Sequence, residues 1–301
     1  MKQGHRVVGG FSAFLMVLCF GISAVRADDL EVRKKLDGLL VYVSQRSTAN
    51  IELVKKAVGV LEGEGTGVSL DQQAKDPELK YEILIWASQA YYWLGTHMGT
   101  IHDLPINGVR DVDPEELDSN DREARKNFFQ MGKSRAKAAQ DVNTNYADGY
   151  YFYALNLGQW GETNGVISSL MHLHDLKSNL KLMRQKNARV NSKDGQTVSG
   201  NAMDGNGADR IEGMMVLKLF QNHYPTAKLD DAVALLKKAH EDSPTFGLNT
   251  YYYTLALREA GKEDDACKLL DELKGRDKSY FAVSRLPESL ESQELAREER
   301  P

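Results

Sequence analysis

The chain has 301 residues, 27% of them charged, with 38 Lys and Arg against 43 Asp and Glu. A formal charge of −5 without basic clusters argues against nucleic acid and anionic lipid as partners. Cys19 and Cys267 are the two cysteines. If Cys19 leaves with a leader, as the N-terminus suggests, no intramolecular disulfide is available and the core must carry the fold.

Lys2 and Arg6 precede an apolar run, Phe11 to Ile22, which ends in Ala-Val-Arg-Ala at 24–27. This is the layout of a secretory signal peptide, with cleavage predicted after Ala27. The alternative is an uncleaved anchor, since Val7 to Val25 is long enough to cross a bilayer. A lipid attachment at Cys19 is disfavoured by the large Leu18 before it. Removing residues 1–27, which hold three basic residues and no acidic one, takes the formal charge from −5 to −8. No second stretch is long and apolar enough to span a membrane, so an exported, soluble mature protein is expected.

After residue 30 apolar residues recur at three- and four-residue steps with no alternating runs, which predicts an all-α chain of about nine or ten helices. Leu30–Leu61 holds one or two, Asp76-Pro77 opens one over 78–98, and Asn120 with Glu123 caps another running to Asp141. Between them lies an acidic loop, 103–119. Helices follow over 147–161 and 163–189. The polar, glycine-rich stretch 190–207 reads as a long loop. Helices resume near Ala208 and continue as 229–241, 248–260 and 263–274, with 275–301 left as a charged tail.

DDAVALLKKA at 230–239 returns as DDACKLLDEL at 264–273. The offset of 34 residues is the period of a tetratricopeptide repeat. Ala232 and Ala266 take the small position of the second helix, Pro244 the terminating position, and Gly261 the turn. Two antiparallel helices approach closely only at small residues, and each pair leaves an apolar face for the next pair to cover. WASQAYYWLG at 86–95 reads as another first helix of a pair and ARKNFFQMGKSRAKAAQ at 124–140 as another second. A stack of helix pairs is therefore predicted over 28–274.

GYYFYALNLGQWGE, 149–162, concentrates five aromatics in one helix. Tyr150, Tyr153, Leu157 and Trp160 share a stripe, and Ala154, Gly158 and Gly161 a second stripe of small residues. The small stripe is expected at a helix contact. The aromatic stripe either packs as core or lines a groove, where Asn156 and Asn164 would orient a ligand.

His172 and His174, two apart, point to opposite sides of a helix and do not share a metal ion there. DGNGAD at 204–209 opens like a calcium loop but lacks its later ligands, Met215 standing where a glutamate belongs. No activated serine or acid–base constellation is recognisable, so no enzyme and no cofactor is expected. Arg210 opens an apolar helix after the long loop. It reads either as a surface salt bridge with Asp209 or Glu212 or as an anion contact at the mouth of a groove.

AYYWLG at 90–95, GYYFYALNLGQWGE, NGVISSL at 164–170, GADRIEG at 207–213 and the last two repeats together resemble the periplasmic T-components of TRAP transporters, in that family's order over most of residues 80–273. The insertion 190–206 departs from its pattern. The repeat layout is also similar to that of mitochondrial regulators of microtubule dynamics, a context the bacterial-type signal peptide argues against. The resemblance implies a helical, non-enzymatic periplasmic protein that forms a ring of subunits around a pore or groove. It further implies work beside a solute-binding protein on a hydrophobic or organic-acid solute. The candidate binding residues are then Tyr92, Trp93, Tyr150, Tyr153, Asn156, Trp160, Asn164 and Arg210. An envelope scaffold holding other proteins, with no small-molecule ligand, is the alternative.

Overall fold

The structure is a computed structural model describing residues 11–44, 51–97, 119–165, 170–189, 198–281 and 286–298. Among these the chain is all-α, with twelve helices. They are α1 (Phe11–Ser44), α2 (Ile51–Leu61), α3 (Leu70–Gln73), α4 (Pro77–His97), α5 (Ser119–Val142) and α6 (Ala147–Thr163). Then come α7 (Leu173–Arg184), α8 (Gly207–Gln221), α9 (Leu229–Asp242), α10 (Gly247–Glu259), α11 (Glu263–Gly275) and α12 (Leu286–Glu298). Most predicted boundaries hold to within two residues. The acidic loop lies outside the described residues up to 118. Helix α1 runs unbroken through position 27, where cleavage is expected. Among the described residues, no helix is long and apolar enough to cross a membrane.

Two expectations need correcting. The helix over 163–189 is interrupted and ends earlier: Gly165 takes a left-handed φ of 89° after α6, a turn at His172 separates helical residues 170–171 from α7, and α7 stops at Arg184. Downstream, Asn187–Ala188 (β1) pairs antiparallel with Val198–Ser199 (β2), pinning the two ends of the long loop together. The stretch 275–301 is not merely a charged tail. Its helix α12 packs on α10 and α11, burying Leu295 and Ala296. Here Gln293 donates its side-chain amide to the carbonyls of Leu273, Lys274 and Arg276 at 3.0, 3.2 and 2.7 Å, satisfying carbonyls that a helix end leaves open.

Consecutive helices pack on one another from α4 through α12, and α4, α6, α8, α10 and α12 also touch in succession. An inner series of alternate helices, with α5, α7, α9 and α11 between them, is compatible with stacked helix pairs. The 34-residue match sits at equivalent buried places: Ala232, Leu236 and Ala239 on α9 answer to Ala266, Leu270 and Leu273 on α11. At the α5–α6 contact the backbones approach closely enough that a Cβ on Gly132 would overlap the Asn156 amide. Of the predicted small stripe on α6, Ala154 and Gly161 are buried, whereas Gly158 faces open space.

The largest apolar cluster is built around α6, with Tyr81, Leu84 and Ile85 from α4, Leu176, Leu180 and Met183 from α7, and Met203 from the long loop. Val32 and Leu36 of α1 extend the core across Leu79 and Ile83.

Candidate functional site

Helix α6 turns two different faces to its neighbours, and the aromatic stripe is on the outer-helix side. Tyr150 is buried in the main cluster and Tyr153 is half-buried against it. The Lys186 ammonium lies over the Tyr150 ring at 5.2 Å and that of Lys133 over Trp160 at 4.9 Å. The His172 ring meets Trp160 edge-on at 5.2 Å. Apolar rings with a cation over the face gain both burial and quadrupole attraction, so this stripe packs α6 against α5 and α7. Asn164 is the C-cap of α6, its side-chain amide donating to the Trp160 carbonyl at 2.7 Å. That bond satisfies a helix-end carbonyl.

Asn156 is fully buried where α4, α5 and α6 meet. Its amide donates to the Phe152 carbonyl at 2.8 Å and to the Ser88 hydroxyl at 3.2 Å, and Ser88 in turn donates to the Gly132 carbonyl at 2.7 Å. Trp93, buried at the end of α4, stacks on His97 with ring centres 4.5 Å apart. Trp93 also packs with Val43 of α1 and Val54, Ala57 and Val58 of α2, so both residues hold helices together.

Arg210 is 3% exposed, and its ion-pair partner is Asp204, at 2.6 Å, with both side chains 4% exposed. This replaces the surface bridge to Asp209 or Glu212. Those two acids instead take Arg184, and Asp209 takes Lys238 as well. The Arg210 guanidinium also donates to the Tyr151 hydroxyl at 3.0 Å, to Asn249 Oδ1 at 2.9 Å and to the Asp204 carbonyl at 2.9 Å. Its carbon lies 4.5 Å over the Phe246 ring, while the Tyr151 hydroxyl donates to the Asp204 carboxylate. Asp204 reaches this position because Asp204, Gly205 and Asn206 all take left-handed φ, at 54°, 57° and 60°. Asp, Gly and Asn tolerate that region best. The calcium-like start of the loop thus uses its first carboxylate on an arginine.

Tyr92 approaches the same centre from α4. Burial pushes its phenol well above the ordinary tyrosine range, the neighbouring Tyr252, Glu288 and Asp204 add to that push, and Arg210 opposes it. Of the predicted residues, Arg210 stands at this centre, joined by Tyr151, Asp204 and Asn249, and Tyr92, packed on Phe129 with ring centres 6.3 Å apart, is near enough for its charges to act on the phenol. Tyr150, Tyr153, Trp160 and Asn164 belong to other contacts. The residues missed were legible in one respect. YFYALNL at 151–157 recurs as YYYTLAL at 251–257, which marks α6 and α10 as equivalent helices, each opening on a run of aromatics. Between α8 and α10 a separate open cavity of about 420 Å³ is lined by Met214, Leu217, Gln221, Leu255, Arg258 and Glu259.

Among the described residues, no three His, Cys, Asp or Glu side chains are grouped to hold a metal ion. Comparison with protein-family models gives no match for the chain, and comparison with curated proteins gives none.

Proposed function

We propose that this chain is a non-enzymatic, periplasmic helical-repeat protein that acts as an accessory component of TRAP-type solute uptake. In this reading the inner helices present a binding face to a solute-binding protein or to an organic-acid solute. One observation carries it: Tyr151, Arg210 and Asn249, from three of the inner helices, converge on one polar, aromatic centre, and the charges of that centre reach the buried Tyr92 phenol on a fourth. Phenols and amides around apolar walls are the groups that orient a small organic ligand. The aromatic stripe of α6 is not part of that centre, so the ligand side chain to follow is Tyr92.

Isothermal titration of the purified chain with candidate organic acids and with a co-encoded solute-binding protein tests the reading. Saturable binding that weakens roughly tenfold in Tyr92→Phe, the scale of one lost hydrogen bond in a buried site, supports it. Heat from none of these partners would leave the scaffold. That second reading is favoured by the burial of Tyr150 against the main cluster. It predicts that crosslinking captures envelope proteins whether or not Tyr92 is intact.

A further inference from the structure

Among the described residues, a buried pair that spans the sequence joins the end of α4 to α12. His97 Nε2 lies 2.7 Å from Glu291 Oε1 across 194 residues, with side chains 3% and 12% exposed. The other ring nitrogen, Nδ1, lies 2.8 Å from the Trp93 carbonyl and 2.8 Å from the Thr96 hydroxyl oxygen. That hydroxyl gives its own proton to the same carbonyl, at 2.9 Å, and so only accepts from the ring. Nδ1 therefore faces two acceptors and Nε2 a carboxylate. An imidazole that satisfies both sides must carry a proton on each nitrogen, because a neutral ring has one N–H only.

We propose that His97 and Glu291 form a proton-dependent clasp between the first and last inner helices, closed while the imidazole holds both protons and released when it loses one. The surroundings favour the closed form. Burial by itself would drive the proton off, but the Glu291 carboxylate, the Trp93 carbonyl and Glu288 outweigh it and hold the pKa above the ordinary histidine value. Other charged groups on the described helices packed at this end are held in contacts of their own or face solvent. On α5, Arg125 Nε donates to the Gly95 carbonyl at 2.9 Å; on α2, Lys55 pairs with Glu52 at 2.6 Å and Lys56 is exposed. The ring also sits in the last turn of α4, where the helix dipole favours a cation.

A folded pKa raised above the unfolded value fixes the direction. The clasp contributes fully below the ordinary histidine range and is lost as pH rises through the raised folded value. Because α12 packs mainly on the C-terminal helices α10 and α11, its release would loosen the link between the two ends of the inner series.

Amide hydrogen exchange on the purified chain, corrected for intrinsic rates, reads the clasp directly. Between pH 6 and pH 9, exchange in α12 should rise roughly tenfold, the factor carried by losing a partner worth about 1.4 kcal/mol, while α9 keeps its protection. In Glu291→Gln the side-chain amide can donate to a neutral Nε2, so the α12 rate should become independent of pH over that range. A flat wild-type profile, or a pH dependence retained in Glu291→Gln, would overturn the proposal. If the variant also loses α9 protection, nitrogen chemical shifts of the His97 ring in the wild type decide. Two protonated ring nitrogens at pH 7 support the clasp, and a neutral ring there overturns it.

Discussion

Arg210 shows how far a single residue's role depends on what surrounds it. As a charge at the start of a helix it is an ordinary solvent-facing cation; in the folded chain its donors are spent on Asp204, Tyr151 and Asn249. Removing one partner of a buried pair strands the other charge, which costs about 3–5 kcal/mol. Arg210→Met should therefore lower the urea midpoint sharply without changing the slope. The double variant Arg210→Met with Asp204→Asn should recover much of that loss, because neither charge is left alone. A small effect of Arg210→Met alone would place the pair in solvent. The sequence contained both residues and their spacing of six, but it held no sign that three consecutive left-handed residues would turn Asp204 back onto the helix.

At the scale of helices, periodicity was a sufficient guide to where elements lie but a poor guide to what their faces touch. The aromatic stripe of α6 and its small-residue stripe follow from 3.6-residue spacing alone. Spacing does not say which neighbour each stripe meets, and Gly132, on the partner helix, is the glycine at the close approach. Gly132→Ala should destabilise the protein by about 1–3 kcal/mol, the usual cost of overpacking, whereas Gly158→Ala, with open space around it, should stabilise it slightly through helix propensity. Thermal unfolding of the two variants in parallel checks the assignment of faces. Equal effects would mean that the α5–α6 contact lies elsewhere. Helix α12 was missed for a related reason. Its polar residues Ser289, Ser292 and Gln293 are buried because they bond to backbone groups, and hydrophobic periodicity is blind to burial of that kind.

For the molecule as a whole, α12 is where the sequence-derived boundary matters most. If 275–301 were a solvated tail, ending the chain before Leu286 would change stability within about 0.5 kcal/mol. Leu295 and Ala296 are instead buried and Gln293 caps α11, so truncation should cost more than about 3 kcal/mol, from one buried leucine and the three carbonyls left open. A drop in melting temperature of several degrees would check this, and an unchanged one would refute it. The sequence by itself determined the helical class, the position of nearly every helix and the 34-residue recurrence, because helix period, capping residues and small-residue spacing are local signals written within one turn or one repeat. Tertiary structure alone decided that Tyr151 meets Arg210, that the α6 aromatics pack on the outer helices and that His97 reaches Glu291. Those contacts join residues from 12 positions apart, as in Trp160 and His172, to 194, as in His97 and Glu291. Only the packing of helix on helix brings them within reach, and no local pattern encodes that geometry.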